Sequence, residues 1–469
     1  MLKWLNLSRA WCATRPGKVQ LRLFSTRYST EYVRVPCASS GEITVSLHNV
    51  SQHHPTAPLA IFIPPFSQAG PEPTVPLPSC LLDHPTAVIN YRWQPHSEHD
   101  RPDIPLRWPT PIHDVLFGYS WLSSNLGITN DESANPRSAY IYGSYLGASL
   151  AAGLALTESH LPDPSRRMTI RGLVAHNGIY NWTMFLPDHP IHKTPKPTSK
   201  AARRAKRRRG LLLPLGIFNE ASRIEPEDDE SGPFALLQHQ TPFLFSSPAD
   251  LFDPFASACL FFHSPNLHVP DDFTTPLSAS SSTLSPEWAQ AIDIMSSFSS
   301  SSSSSAPPSS TPESETDETA DALLAKAAQR AKQQKPPRKG YFRFPPRQST
   351  LRLPETLLLY DDDGGFDAAA AARNGNGKGG GNSFKLQATE LASVMRRSLG
   401  MVEFKQRMAD GGEDEFADLE VQAREAERRV QLAEVGGSAD MERGLLGLDE
   451  EGEEVVAEWL RDRIDEERM

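Results

Sequence analysis

The chain has 469 residues, a formal net charge of -11 at pH 7 and only 38% hydrophobic residues. With 41 prolines and an almost unbroken serine run, this composition excludes a single globule that packs every residue into a core. No apolar run reaches the ~18 residues of a membrane-spanning helix, and the four widely spaced cysteines fit no metal or cofactor motif.

The first thirty residues are rich in basic side chains. Six Lys or Arg residues precede the first acidic residue, Glu31, and serine, threonine and leucine fill the spaces. An Arg-rich, acid-free, amphipathic start is typical of a mitochondrial transit peptide, and it lacks the continuous apolar core of a secretory signal. We therefore predict that residues 1–30 direct the chain to mitochondria, with the matrix as the destination. The alternative is a basic tail without structure.

Beyond residue 30, strand patterns alternate with helical ones. Strands are predicted at residues 31–36, 42–50, 58–63, 86–93, 137–142, 170–176, 355–360 and 429–435. Helical spacing occurs at residues 111–126, 149–158, 386–399 and 453–464, and residues 251–262 also have a helix-like pattern. Such alternation predicts an α/β fold: a mostly parallel sheet of about eight strands, opened by a hairpin, with helices on both faces.

Low-complexity segments divide this domain. Residues 274–337 are rich in Ser and Pro, and residues 361–382 in Gly, Ala and Asn, so neither segment can bury enough apolar surface to offset its ordering entropy. Both are predicted to be disordered inserts in connections between elements. The α/β domain then comprises residues 31–184, 241–273 and 338–469, the last of which contains the insert at residues 361–382.

The most specific motif is Gly143-Ser144-Tyr145-Leu146-Gly147, between a predicted strand and a predicted helix. Strand, Gly-x-nucleophile-x-Gly and helix form a nucleophile elbow, in which the glycines leave room for a strained turn and a closely packed helix. Here Tyr145 stands where the motif has serine.

With this elbow, the segments 86–93 and 111–114 make the chain resemble α/β-hydrolases of the esterase/lipase type, and fungal hydrolase-like proteins in particular. The resemblance covers roughly residues 31–181, 242–270 and 341–464. It implies an ester-hydrolase fold in which residues 185–240 are a cap inserted after the sixth strand. It also implies places for a nucleophile, an acid, a histidine base and an oxyanion hole.

The nucleophile position holds Tyr145, whose phenol has an ordinary pKa of about 10 and needs a base to activate it. Ser144 is one residue away, and its side chain is expected to leave the turn in another direction. The alternative is that Tyr145 fills the vacated pocket.

The acid position follows the strand at residues 355–360 and holds Asp361, Asp362 and Asp363; the alternative there is a solvated acidic turn. The histidine position is empty, because the last histidine of the chain is His268. His176, at the end of the strand after the elbow helix, is a candidate replacement base, or a histidine that only packs.

The oxyanion position is also altered. The loop after residues 58–63 begins Pro64-Pro65-Phe66, and prolines have no N–H to donate. The backbone N–H groups of Phe66 and Leu146 remain as candidate donors.

A basic block of nine Lys or Arg and no acid lies between Lys193 and Arg209, whereas the region from residue 411 onward has 20 acidic and 7 basic residues. The block is suited to RNA, an anionic lipid or an acidic protein face, including the C-terminal region of this chain. It also matches a nuclear localisation pattern, so a nuclear or cytoplasmic location is the alternative to mitochondria.

These observations predict a catalytically impaired pseudo-hydrolase that acts as a binding or scaffold protein in mitochondria. One alternative is an active carboxylic-ester hydrolase with a rewired site, with Ser144 or Tyr145 as nucleophile and His176 as base. A second alternative, which rests only on the basic block, is an RNA-associated mitochondrial factor.

Overall fold

The computed structural model describes residues 29–66, 76–93, 106–127, 136–163, 165–192, 233–273, 340–361, 382–404, 415–435 and 448–468. The basic block and the Ser/Pro-rich insert lie outside these residues. So do the predicted transit peptide and the Gly/Ala-rich insert, apart from the residues at their ends.

Within these residues, eight strands form one sheet. Their bounds are β1 Thr30–Pro36, β2 Glu42–His48, β3 Leu59–Ile63, β4 Thr86–Asn90, β5 Arg137–Ser144, β6 Met168–His176, β7 Glu355–Asp361 and β8 Val430–Val435. Their spatial order is β1-β2-β4-β3-β5-β6-β7-β8. The β1–β2 and β2–β4 pairs are antiparallel and every other pair is parallel, so the predicted sheet is confirmed.

Six α-helices are described, of which four were predicted. Their bounds are α1 Thr110–Leu126, α2 Leu146–Glu158, α3 Pro233–Leu244, α4 Phe384–Leu399, α5 Glu415–Arg429 and α6 Glu450–Arg468. The sequence patterns did not predict α3, of which the residues up to Gln240 were assigned to the cap, or α5, a charged helix that leads directly into β8. None of the described helices is both long and apolar enough to cross a bilayer.

The helix-like pattern at residues 251–262 was wrong for an α-helix. The structure has two short 3₁₀ helices instead, Pro248–Phe252 and Ala258–Phe261. Asp253 is extended (φ -71°, ψ 125°), as expected for a residue that precedes a proline, here Pro254. The proline also has no N–H for a helical hydrogen bond, so the apolar spacing does not produce a continuous helix.

Helices cover both faces of the sheet, as predicted. Apolar side chains of α1, α2 and α4 pack on one face, in a cluster that includes Val115, Leu150 and Leu391. On the other face, α6 contributes Val456 and Trp459 to a second cluster. The sheet is therefore buried between two layers.

The parallel strands bring the predicted site residues to one edge. Ser144, the last residue of β5, pairs with His176, the last residue of β6, and His176 in turn pairs with Leu359 of β7. Asp361 ends β7 at the same edge.

Candidate active site

The chain has an α/β-hydrolase fold. Its eight-stranded sheet is mostly parallel, and β5, a sharp turn and α2 follow one another as in a nucleophile elbow. The turn therefore marks the position that a nucleophile occupies in this fold.

The backbone at Tyr145 is strained. Its φ of 51° and ψ of -116° lie outside the regions that residues with a Cβ ordinarily adopt. A Cβ on Gly147 would lie 2.2 Å from the Pro64 carbonyl oxygen, and one on Gly143 would lie 2.6 Å from the Gly147 carbonyl oxygen. Both glycines are thus required by close backbone approach, and the turn has the geometry of an elbow.

The Tyr145 ring fills the space at the turn, and Tyr145 is 0% exposed to solvent. It stacks on Phe66 with ring centroids 5.9 Å apart and an interplanar angle of 21°. The rings of His176 and Phe384 meet it edge to face at 5.8 and 5.7 Å. Three rings therefore enclose the phenol, which favours packing over solvent access.

The Tyr145 hydroxyl accepts a hydrogen bond from the Asn177 side-chain amide, at 3.3 Å. The same amide donates to Asp361 Oδ2 at 2.7 Å, and the Asp361 N–H donates to Asn177 Oδ1 at 3.0 Å. Asn177 has a φ of 50°, a conformation that asparagine tolerates better than most residues. It joins the elbow to the end of β7.

His176 and Asp361 form a pair, with Nε2 and Oδ1 separated by 2.8 Å. An ionised carboxylate only accepts hydrogen bonds, so in a pair with ionised Asp361 the proton stays on His176 Nε2, which donates the hydrogen bond to Oδ1. His176 Nδ1 is buried and has no hydrogen-bond partner among the described residues. The structure thus brings together the acid and the base that the sequence singled out.

Ser144 lies at the end of β5 and is 1% exposed. Side chains alternate along a strand, so Ser144 shares a face with Tyr140 and Tyr142, which pack in the α6 cluster. Tyr145 packs in the cluster of the opposite face. The two candidate nucleophiles are therefore directed to different sides of the sheet.

The two candidate oxyanion donors lie beside the turn. Leu146 is the first residue of α2 and is buried. The Phe66 side chain stacks on the Tyr145 ring, and the Pro64 carbonyl accepts a 3.0 Å hydrogen bond from the Tyr91 hydroxyl. Asp362, Asp363 and the loop after β8 that would carry the family's histidine lie outside the described residues.

Sequence reasoning missed Asn177 and Phe384, which both contact Tyr145. The sequence contained a signal for Asn177, a polar residue that directly follows His176 at the end of a predicted strand. For Phe384 none existed, since its contact with Tyr145 depends on how α4 docks after a low-complexity insert.

Tyr145, His176 and Asp361 line none of three cavities formed by the described residues. One of these three, with a volume of about 820 Å³, lies where β5, β6 and β7 begin, at the opposite edge of the sheet. Within the described ranges, no group of three His, Cys, Asp or Glu side chains is arranged to hold a metal ion.

Comparison with protein families and with curated proteins finds no match to this chain. Among solved structures, it is similar to a carboxyl esterase from the mycorrhizal fungus Tuber melanosporum (TM-score 0.41, 9% identity, covering 96% of this chain and 89% of that chain). It is also similar to a hormone-sensitive lipase from a metagenome library (TM-score 0.36, 11% identity, 94% and 88% covered). A thermostable carboxylesterase from a metagenomic library is matched over only 64% of its length (TM-score 0.28, 14% identity, 50% of this chain).

Proposed function

We propose that this chain is a catalytically impaired hydrolase-fold protein that acts as a binding or scaffold protein in mitochondria. The observation that carries the proposal is the fully buried Tyr145 ring at the elbow. A nucleophile must meet its substrate, whereas this phenol is enclosed by Phe66, His176 and Phe384.

The partners of the acid and the base support the same proposal. Both oxygens of Asp361 are engaged, Oδ1 by His176 and Oδ2 by Asn177. This arrangement ties the ends of β6 and β7 together, which is a sufficient structural reason for the three polar residues.

Ester hydrolysis tests the impairment. The purified full chain is incubated with p-nitrophenyl acetate and butyrate and with a fluorophosphonate probe. We expect no turnover above buffer and no labelling. The variants Ser144→Ala, Tyr145→Phe and His176→Ala are run beside Ser124→Ala, an exposed serine on α1. Activity that His176→Ala removes, that Ser144→Ala or Tyr145→Phe also removes, and that Ser124→Ala retains contradicts the proposal.

One observation favours the second candidate, an ester hydrolase with His176 as base. A carboxylate bonded to Nε2 leaves Nδ1 with a lone pair, the arrangement that a general base requires. Its hydroxyl partner would be Ser144 or Tyr145. The same experiment distinguishes the candidates, because this one predicts turnover that depends on His176.

The mitochondrial part of the proposal rests on the basic, acid-free start of the chain. We expect residues 1–30 to carry a fused fluorescent protein into mitochondria and the chain without them to stay outside. A nuclear signal that requires Arg203–Arg209 would instead support the nuclear alternative.

A further inference from the structure

The cavity where β5, β6 and β7 begin has the size and the walls of a ligand site. Its volume of about 820 Å³ falls within the ~300–1,000 Å³ of small-molecule sites. Apolar side chains of Pro136, Tyr140 and Leu353 form part of its wall, and all three are buried. An apolar molecule, or the apolar part of one, therefore has surface to pack against.

The charged side chains of the cavity come from separate segments of the chain and are mostly basic. Four arginines line it: Arg171 of β6, Arg352 before β7, Arg428 of α5 and Arg463 of α6. Two glutamates, Glu355 and Glu466, also line it. The lining is thus net positive.

The two glutamates are already engaged by arginines. Glu355 lies 3.8 Å from Arg428, 3.7 Å from Arg429 and 3.1 Å from Arg463. Glu466 lies 3.4 Å from Arg428 and 3.5 Å from Arg463. Arg428 also pairs with Glu425, at 2.9 Å. Two lining carboxylates face four lining guanidinium groups, so they do not cancel the positive charge of the lining.

A β-bulge places one of these arginines. In the β5–β6 ladder, Ala139 pairs with Ile170 and Tyr140 pairs with Gly172, so Arg171 is the extra residue. A bulge redirects a side chain relative to a regular strand. A Cβ on Gly172 would lie 2.7 Å from the Tyr140 ring, so the ring can pack beside the bulge only because this residue is glycine.

We propose that this cavity binds an organic anion, namely a phosphate or carboxylate group on an apolar body. Guanidinium groups present forked N–H donors that match both headgroups, and the apolar wall receives the rest of the molecule. The site goes beyond the proposed function, because it lies at the other edge of the sheet from Tyr145 and does not depend on whether the elbow is catalytic.

Titration calorimetry on the full chain tests the site with three probes of equal chain length: octyl phosphate, octanoate and octanol. We expect at least one of the two anions to bind with a measurable heat, the alcohol to bind more weakly, and added NaCl to weaken binding of the anion. Whichever anion binds more tightly identifies the headgroup. Binding of octanol as tight as that of both anions overturns the proposal, as does the absence of binding by either anion.

Variants locate the binding. Arg171→Gln and Arg352→Gln are each expected to weaken it about tenfold, the equivalent of about 1.4 kcal/mol. Arg424→Gln, on an exposed part of α5, is the control and is expected to bind as the native chain does. A melting temperature without ligand shows that each variant is folded. If both cavity variants bind as tightly as the control, the site is not this cavity. Tyr145→Phe is expected to leave the affinity unchanged.

Discussion

The Tyr145 side chain packs its ring against neighbouring rings and its hydroxyl accepts a hydrogen bond from Asn177, on a strained backbone. The glycines on either side showed from the sequence that a tight turn lies here, because their spacing is local. The surroundings of the ring were beyond sequence reasoning. Phe66 and Phe384 reach it from a loop after β3 and from the first residue of α4.

Substitution at Tyr145 separates the two interactions. Tyr145→Ala removes a fully buried ring and is expected to lower the free energy of unfolding by about 3–5 kcal/mol. Tyr145→Phe keeps the ring and removes the hydroxyl bonded to Asn177, for a loss of about 1 kcal/mol. Urea unfolding measures both. Equal losses for the two variants would mean that the hydrogen bond, and not the packing, holds the residue.

At the scale of elements, the sequence was most informative where a pattern is long and regular. The eight strands in their order along the chain and the helices α1, α2, α4 and α6 were predicted from periodicity. The apolar spacing before and after Pro254 predicted one helix where there are two short 3₁₀ helices, because spacing does not register a missing N–H. Helix α5 was not predicted because its charged sequence has few apolar positions from which a helical period could be recognised.

Helix α2 lies so close to the end of β3 that only glycine fits at the contact. Gly147→Ala would place a Cβ 2.2 Å from the Pro64 oxygen and 2.3 Å from the Ile63 oxygen, both backbone atoms. We expect a loss of more than about 3 kcal/mol, or no folded protein, because neither the strand nor the helix can yield cheaply. The matched control is Gly400→Ala, where nothing lies within 4 Å and φ is -60°.

The control is expected to leave stability unchanged or raise it by up to about 1 kcal/mol, since alanine favours a helical backbone over glycine. Thermal unfolding followed by circular dichroism compares the two variants. A Gly147→Ala variant as stable as the control would show that α2 is not held against the sheet in this way.

Glu355 ties three elements together at the start of β7. Its carboxylate faces Arg429, at the end of α5, and Arg463 of α6, whose side chains are 1% and 8% exposed. Glu355→Ala leaves these buried cations without this partner, and we expect a loss of about 3 kcal/mol. Glu420→Ala removes the partner of Arg424 in a pair that is about three-quarters exposed, so its effect is expected to stay within ~0.5 kcal/mol.

Urea unfolding of the two glutamate variants provides the comparison. Equal effects would indicate that water reaches Glu355 far more freely than its 15% side-chain exposure implies.

At the scale of the whole molecule, the described residues form one sheet with a separate apolar cluster on each face. The sequence predicted the layers, since strands buried on both faces require cover on both sides. Whether the two apolar clusters unfold together depends on how strongly packing on one face of the sheet stabilises packing on the other. The exposure of three buried cysteines can be measured on each face, because Cys37 and Cys259 lie in the α1–α2–α4 cluster and Cys80 lies in the α6 cluster.

The Cys37 and Cys80 thiols are protected from alkylation in two ways: they are buried, and their raised pKa values keep them in the neutral form. Burial, and then the neighbouring Asp114 carboxylate, raise the pKa of Cys37 to about 12. Burial and then Glu453 raise that of Cys80 to about 12. Alkylation requires the thiolate, so at pH 8 we expect both to resist iodoacetamide in the folded chain and to react once it unfolds. The stability gained from the neutral thiols is present below about pH 8.5, the ordinary thiol pKa, and is lost as the pH rises toward 12.

Alkylation along a urea gradient, read by peptide mass spectrometry, then tests cooperativity. If the two faces unfold as one unit, Cys37, Cys80 and Cys259 become reactive at the same urea concentration, because exposing one apolar face removes the packing that holds the sheet against the other. Alkylation of Cys80 at a lower concentration than Cys37 and Cys259 would show instead that the α6 face opens first. Such local opening would also disrupt the arginine-lined cavity, since Arg463 is carried by α6. Octyl phosphate, if it binds there, is therefore expected to shift alkylation of Cys80 to higher urea.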